Sequence, residues 1–243
     1  MKSTRLTAAL VTAALVTAAS ASRAEELSAS ASQEPRFHLG LRTGFGVPVG
    51  KYADVRNAGF VDSDVNALSD DIHGAIPLWL DAGYRLSPHL MLGGYFMFGI
   101  VLPKVAPAAA PLSGGCPDGV DCFATGVRFG VQAQYAFSPG GFVNPWVGIG
   151  LGYEWITTRL DGELFSNRIE ATSSYSGPEL LHVQGGVDFV LTPNLAAGPF
   201  AALSGTRYMT CTTELSGEEV DCEIEDGAWH GWLVVGVRGT LGL

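Results

Sequence analysis

The sequence predicts an all-β fold: an eight-stranded antiparallel transmembrane up-and-down β-barrel with short periplasmic turns and long extracellular loops. Three observations carry this reading. The 243 residues are 47% hydrophobic and include 32 glycines, yet only 16% are charged, where an ordinary soluble domain has about 25%. Beyond the N-terminus no apolar run reaches the ~18 residues of a helical span. Finally, hydrophobicity alternates with a period of two in eight successive segments, the mark of strands whose two faces meet different surroundings.

The N-terminus sets the compartment. Lys2 and Arg5 precede a short apolar stretch from Leu6 to Ala19, and small residues follow. This is the layout of a secretory signal peptide. Cleavage is expected after Ala24, with Ala21 the other candidate. Residues 1–24 then form the signal peptide, 25–36 a flexible periplasmic leader and 37–243 the barrel. Removing Lys2, Arg5 and Arg23 but no acid moves the formal charge from −10 to −13. That excludes the basic footprint of a nucleic-acid binder.

The strands follow in order. Phe37 to Val47 sets Phe37, Leu39, Leu41, Phe45 and Val47 against His38, Gly40, Arg42, Gly44 and Gly46. Gly74 to Leu86 opposes Ile76, Leu78, Leu80 and Tyr84 to Trp79, Asp81, Gly83 and Arg85, and Leu90 to Leu102 aligns Leu92, Phe96, Phe98 and Ile100. Ala124 to Phe137 places Arg128, Gln132 and Gln134 on its polar face, and Pro145 to Thr158 places three glycines and Glu154 there. Pro178 to Leu191 alternates Leu181, Val183, Val187 and Phe189 with His182, Gln184 and Asp188. Leu195 to Tyr208 is rich in Ala and Gly, and Ala228 to Leu243 sets Leu233, Val235, Val237 and Leu241 against His230, Trp232, Arg238 and Thr240.

Three connections are short and pair a hydroxyl residue with proline: Ser87-Pro88, Ser138-Pro139 and Thr192-Pro193, which suits a tight turn. The other four, near 48–73, 103–122, 159–177 and 209–227, are long. This alternation puts turns on the periplasmic side and loops outside. Aromatic residues gather at both ends: Phe37, Tyr84, Tyr135, Phe137 and Phe189 by the turns, Phe45, Phe98 and Trp155 by the loops. Interfacial girdles have this placement.

Face assignment follows from charge. A soluble barrel of the lipocalin type would turn its apolar face inward. That register exposes Arg42, Arg85, Arg128 and Arg238; in lipid each would cost about 2–4 kcal/mol near the midplane, a sum comparable with the roughly 5–15 kcal/mol of a whole domain. With the apolar face to lipid, the four arginines instead face Asp81, Glu154 and Asp188 inside a glycine-rich lumen. Arg42, Asp81, Arg85, Arg128, Glu154, Asp188 and Arg238 are therefore expected to form an interior ion-pair network, joined by His38, His182 or His230, because a buried charge must be paired. At eight strands the lumen is just wide enough for its own side chains, which favours a plug over a gated pore.

On these strands, the Leu-Ser/Thr-Pro-His/Asn-Leu turns (Leu86–Leu90 and Leu191–Leu195) and the final strand, residues 37–243 resemble the outer-membrane β-barrel family of OmpA-like transmembrane domains, including OmpX- and OmpW-type proteins. In that family the closing strand is recognised by the assembly machinery, usually through a terminal aromatic residue. Here Leu241 and Leu243 hold the alternating apolar places. The resemblance implies an outer-membrane location, with outer-membrane lipids and the assembly machinery as partners, and no nucleic acid; a monomer is expected.

Three functions are open. The first is a non-enzymatic surface barrel with a structural or interaction role. The second, which the OmpW-type resemblance implies, is a small passive channel or a conduit for hydrophobic molecules. The third is a membrane-embedded lipid hydrolase, which needs a Ser, a His and an acid aligned at a lipid-facing height; His38, His182 and His230 project inward without an evident Ser or acid companion. No catalytic residue and no cofactor or metal ligand is assigned. The close pairs Cys116/Cys122 and Cys211/Cys222 are read as local loop disulfides, since export permits oxidation and neither zinc spacing nor an interleaved histidine is present. The acidic runs Asp62, Asp64, Asp70, Asp71 and Glu214 to Asp226 could offer oxygens to calcium but lack EF-hand spacing, and are read as solvated surface.

Overall fold

The alternating segments pair edge to edge into one closed antiparallel wall. The computed structural model describes residues 36–50, 55–56, 72–104, 116, 120–164, 167–220, 223–224 and 229–243. Along them run strands β1 (Phe37–Gly50), β2 (Val55–Arg56), β3 (Ile72–Arg85), β4 (Leu90–Pro103), β5 (Val120–Ala136), β6 (Val143–Leu164), β7 (Asn167–Thr192), β8 (Leu195–Arg207), β9 (Thr210–Leu215), β10 (Glu218–Val220), β11 (Glu223–Ile224) and β12 (Trp229–Gly242). Eight of them, β1, β3 to β8 and β12, form the barrel, each bonded to its sequence neighbours in that set, and β12 returns to β1 from Gly242 beside His38 to His230 beside Gly50. Closure leaves no sheet edge within the wall, as hydrocarbon requires. The expected signal peptide and all but Arg36 of the leader lie outside the described residues, as do Asp62, Asp64, Asp70 and Asp71.

The apolar face looks out. Val131 and Ile149 are 67% and 65% exposed, and Leu41, Leu80, Phe96, Phe129, Leu151, Val235 and Val237 are exposed with them, around the whole circumference. A soluble monomer does not carry so large an apolar surface; a lipid-facing belt does. Ring pairs edge the belt at both ends: Phe37 with Tyr84 and Tyr135 with Phe137 near the turns, Phe129 and Tyr153 with Trp155 toward the far rim. In the turns the hydroxyl residues accept backbone hydrogen bonds, Ser87 from Leu90 N at 3.1 Å and Thr192 from Leu195 N at 3.0 Å. The Ser/Thr-Pro motif is thus a capped reversal.

Two expectations are corrected. Within the segments read as loops, residues 159–164, 167–177, 210–215, 218–220 and 223–224 are strand. The β6/β7 ladder continues to Leu164 beside Asn167, β9 adds to β7 along Ala171–Ser176, and β10 adds to β9. Serine and threonine fill this extension and bond across strands, Thr157 with Ser174 at 3.0 Å and Ser173 with Thr213 at 3.3 Å. Because these hydroxyl residues are polar on both faces, the extension shows no period-two hydrophobicity. Ser216 and Gly217, both at positive φ (51° and 87°), make the two-residue turn between β9 and β10, the reversal that matches strand twist. Second, the lumen is not mainly glycine: Trp79, Tyr95, Met97, Val101, Trp146, Phe200, Ala202, Trp232 and Val234 are buried inside it.

Cys116 and Cys122 form a disulfide. Cys211 is also disulfide-bonded, and Cys222 lies outside the described residues.

Gly44 faces Gly236 across the β1–β12 seam. A Cβ on Gly236 would lie 2.1 Å from Thr43 O and 2.7 Å from Gly44 Cα, whereas one on Gly239, three residues on, meets nothing within 4 Å. Gly236→Val should therefore lower unfolding free energy by about 1–3 kcal/mol through overpacking, with Gly239→Val near wild type. Urea titrations of the refolded barrel, followed by gel mobility without boiling, measure the difference; equal midpoints for the two variants would contradict it.

Candidate functional site

Polar side chains excluded from the lipid face have only the lumen, and there they assemble in three tiers. Next to the short turns, Arg238 Nε donates to Asp188 Oδ1 at 2.8 Å, its Nη2 to Asp188 Oδ2, and its Nη1 to Gln134 Oε1 at 3.0 Å. The guanidinium lies 3.4 Å above the Trp146 ring, so stacking adds to the bidentate pair.

The middle tier is a ring of four side chains from β1, β3, β5 and β7. Arg42 grips Asp81 through Nε and Nη2 at 2.7 and 2.6 Å and donates to Gln184; Gln184 donates to Gln132, which donates back to Asp81 at 2.9 Å. The loop of donors spans the lumen from wall to wall. Trp79 and Phe200 lie 5.1 and 5.5 Å from the Arg42 guanidinium and fill the remaining width.

The third tier, toward the far rim, centres on Arg128. It bonds Glu154 at 3.0 Å and Glu179 at 3.2 Å. Glu154 also takes a hydrogen bond from Thr206 at 2.6 Å and lies 3.3 Å from His230 Nε2; Glu179 takes one from Tyr95 and lies 3.0 Å from His182 Nδ1. Each imidazole is stacked on a tyrosine, His182 on Tyr95 at 4.8 Å and His230 on Tyr208 at 3.9 Å. Arg42 and Arg128 are each 1% exposed.

Six of the seven sequence-predicted charges thus lie in these tiers. Arg85 is placed apart, at the turn end, donating to His38 Nε2 at 3.2 Å and to Pro88 O at 2.8 Å. Sequence reasoning missed Glu179 because strict alternation with inward His182 turns it to lipid. A bulge reverses that: Leu180 and Leu181 together oppose Leu151, between Gly150 beside His182 and Gly152 beside Glu179. Two outward residues in a row, both exposed, shift the parity by one. The doubled leucine was the available signal. Glu179 and Glu154 also supply the acid companions that the histidines had lacked, and Ser204 sits across from His182. All of these are buried in the lumen and turned away from lipid.

Two ladders carry a gap at a proline: β7–β8 passes from Gly186 beside Phe200 to Phe189 beside Ala197, across Pro199, and β1–β3 has the other. The β1–β3 register runs from Phe37 beside Tyr84 to Thr43 beside Leu78 and resumes at Gly46 beside Ala75, leaving Gly44 and Phe45 unmatched to Ile76 and Pro77. Pro77 has no N–H to give, and Thr43 Oγ1 instead donates to its carbonyl at 3.0 Å. Behind the interruption is a cavity of about 20 Å³ bounded by Ala75, Pro77, Met97, Val101 and Val234, with Trp79, Arg128 and Glu154 also lining it.

No family model matches the sequence, and no curated protein matches it. Among solved structures the chain is similar to a major outer membrane protein from Thermus thermophilus, at 17% identity, covering 84% of this chain and 99% of that one with a TM-score of 0.47. It is similar also to the outer membrane protein OprG from Pseudomonas aeruginosa, at 14% identity over 86% and 98% of the two chains, TM-score 0.42. A third is Ail, the attachment invasion locus protein of Yersinia pestis, at 12% identity over 86% and 100%, TM-score 0.39. The closed eight-stranded barrel rests on the strand pairing itself.

Removing Arg128 leaves two buried carboxylates without their shared counter-charge, which costs about 3–5 kcal/mol for a broken buried pair. Arg128→Met should show that loss in urea unfolding from micelles. Adding Glu154→Gln and Glu179→Gln to it should recover most of the loss; a triple variant no more stable than Arg128→Met would contradict the assignment.

Proposed function

We propose that this chain is a non-enzymatic, non-conducting barrel of the outer membrane whose role is structural or one of surface interaction. The observation that carries it is the lumen: three tiers of paired charge, backed by buried tryptophans, cross it from wall to wall. An aqueous path would have to break charge pairs held in a low-dielectric interior. What remains free to act is the outside, where β6, β7, β9 and β10 extend the wall into a hydroxyl-rich sheet beyond the apolar belt. A non-enzymatic reading is supported by the burial in the lumen of both acid–histidine pairs, Glu154 with His230 and Glu179 with His182. Residues 1–24 would direct export, the assembly machinery would insert the closing strand, and the barrel would stand as a monomer among outer-membrane lipids.

A second reading has its own observation. The unmatched stretch at Pro77, with Ala75, Met97, Val101 and Val234 behind it, marks where a small hydrophobic molecule would leave sideways into lipid if the wall parted there.

Planar bilayers separate the readings. The wild-type barrel should give no reproducible conductance step, and samples loaded unboiled should migrate apart from boiled ones; regular steps would overturn the plug. If the sideways route operates, Pro77→Val should slow uptake of a small alkane by cells that express the protein, since valine restores the missing donor. Equal uptake by both would leave only the surface role.

A further inference from the structure

We propose that the outward face of the extended hairpin, just above the aromatic rim, docks the sugar headgroup of an outer-leaflet glycolipid. This names a partner for the surface role and rests on that reading. It starts from register. The ladders between β5, β6, β7 and β9 run without a shift here, so outward residues line up in rows across the strands. One row is Thr125, Thr157, Ser174 and Thr212, a hydroxyl on each of the four strands. Toward the belt the next row is Val127, Trp155, Ser176 and Thr210; away from it come Phe123, Arg159, Thr172 and Glu214. Parity with the inward, buried Arg128 and Glu154 turns these rows outward.

This face is continuous with the lipid belt, which fixes what meets it. Successive outward rows are about 7 Å apart along a strand, or roughly 5 Å in height at the tilt of an outer-membrane barrel. The headgroup layer is about 5–8 Å deep. With Trp155 at the hydrocarbon boundary, where such rings sit, the Thr157 row lies among headgroups. The chemistry of the row then selects among them. Neither it nor the Trp155 row carries a charge, whereas phosphate and ammonium are held by charged partners. A hydroxyl donates once and accepts twice. Thr157 and Ser174 bond each other at 3.0 Å, which leaves the pair a donor and spare lone pairs, the complement of a sugar's own hydroxyls. Trp155 and Phe123, on either side of the row, are 40% and 54% exposed, and the C–H face of a sugar ring packs on such a ring. Further out, Asp121, Asp161 and Glu170 stand side by side in register, a row that repels an anionic substituent. The face therefore suits a neutral polyhydroxyl ring.

The full chain is placed in zwitterionic nanodiscs into which diglucosyl diacylglycerol is titrated. The Trp155 indole N–H resonance is followed against that of Trp232, which is buried in the lumen. A second series titrates phosphatidylglycerol, and a third adds free maltose to undoped discs. A saturable Trp155 shift is expected in the first series alone. Thr157→Val with Ser174→Ala, its fold checked by gel mobility, should weaken that response about tenfold. Ser173→Ala with Thr213→Val, a bonded pair on the inward face of the same sheet, should leave it unchanged. The proposal is overturned if phosphatidylglycerol or maltose gives the same saturable shift, if no series moves Trp155 more than Trp232, or if the two double variants respond alike. Conductance steps from the same preparation would overturn the plug and the surface role, and they are read independently of the Trp155 shift.

Discussion

Hydrocarbon offers no hydrogen-bond partner, and most of this structure follows from that one constraint. Backbone donors and acceptors must be used up within the wall, so the strands close into a ring. Polar side chains must leave the outer face, so they meet in a lumen too narrow to hydrate them freely. Inside, a lone charge would be as costly as one in lipid. The arginines therefore arrive with their acids: Arg238 with Asp188, Arg42 with Asp81, Arg128 with Glu154 and Glu179. Pairing in the lumen and bareness of the belt are two results of one exclusion.

The tiers differ in how they are balanced. In the first two, one guanidinium meets one carboxylate, and amides from Gln134, Gln132 and Gln184 take up the remaining valences. In the third, a single guanidinium serves two carboxylates. Thr206 and Tyr95 donate to these carboxylates and the two imidazoles lie within hydrogen-bond distance of them, so this tier holds more carboxylates than guanidinium groups. It is also where the bulge at Leu180 and Leu181 places Glu179, so the irregular backbone and the irregular charge balance coincide.

Strand count, the outward face and most of the inward charges were legible in the residues because period-two alternation is imposed by lipid on every pass. Legibility ended where that pressure ends. Beyond the belt both faces of β6 and β7 meet water, alternation lapses, and Thr157, Ser173 and Ser174 read as loop although they belong to a ladder. Inside, Trp79 and Trp232 were legible on the inward face, but Trp146 was masked by the glycines that make room for it: a Cβ on Gly186 would lie 3.0 Å from the Trp146 ring. Glu179 was hidden by a one-residue shift that only the pairing reveals. The unmatched Gly44–Phe45 stretch opposite Pro77 was likewise out of reach, since a proline in a sequence announces a missing donor but not which neighbour goes without it.

The extended hairpin has a mechanical meaning. At about 3.3 Å per residue, the 26 residues of β7 form one long beam with a bulge at Leu180 and Leu181, rooted in the barrel wall and braced along its outer part by β6 and β9. A tether of the same length would explore a wide volume and transmit little force. A beam fixes the height and heading of whatever touches its tip, so a load applied there is carried as bending into the β6–β7–β8 side of the wall, the side that holds Glu154, His182 and Thr206.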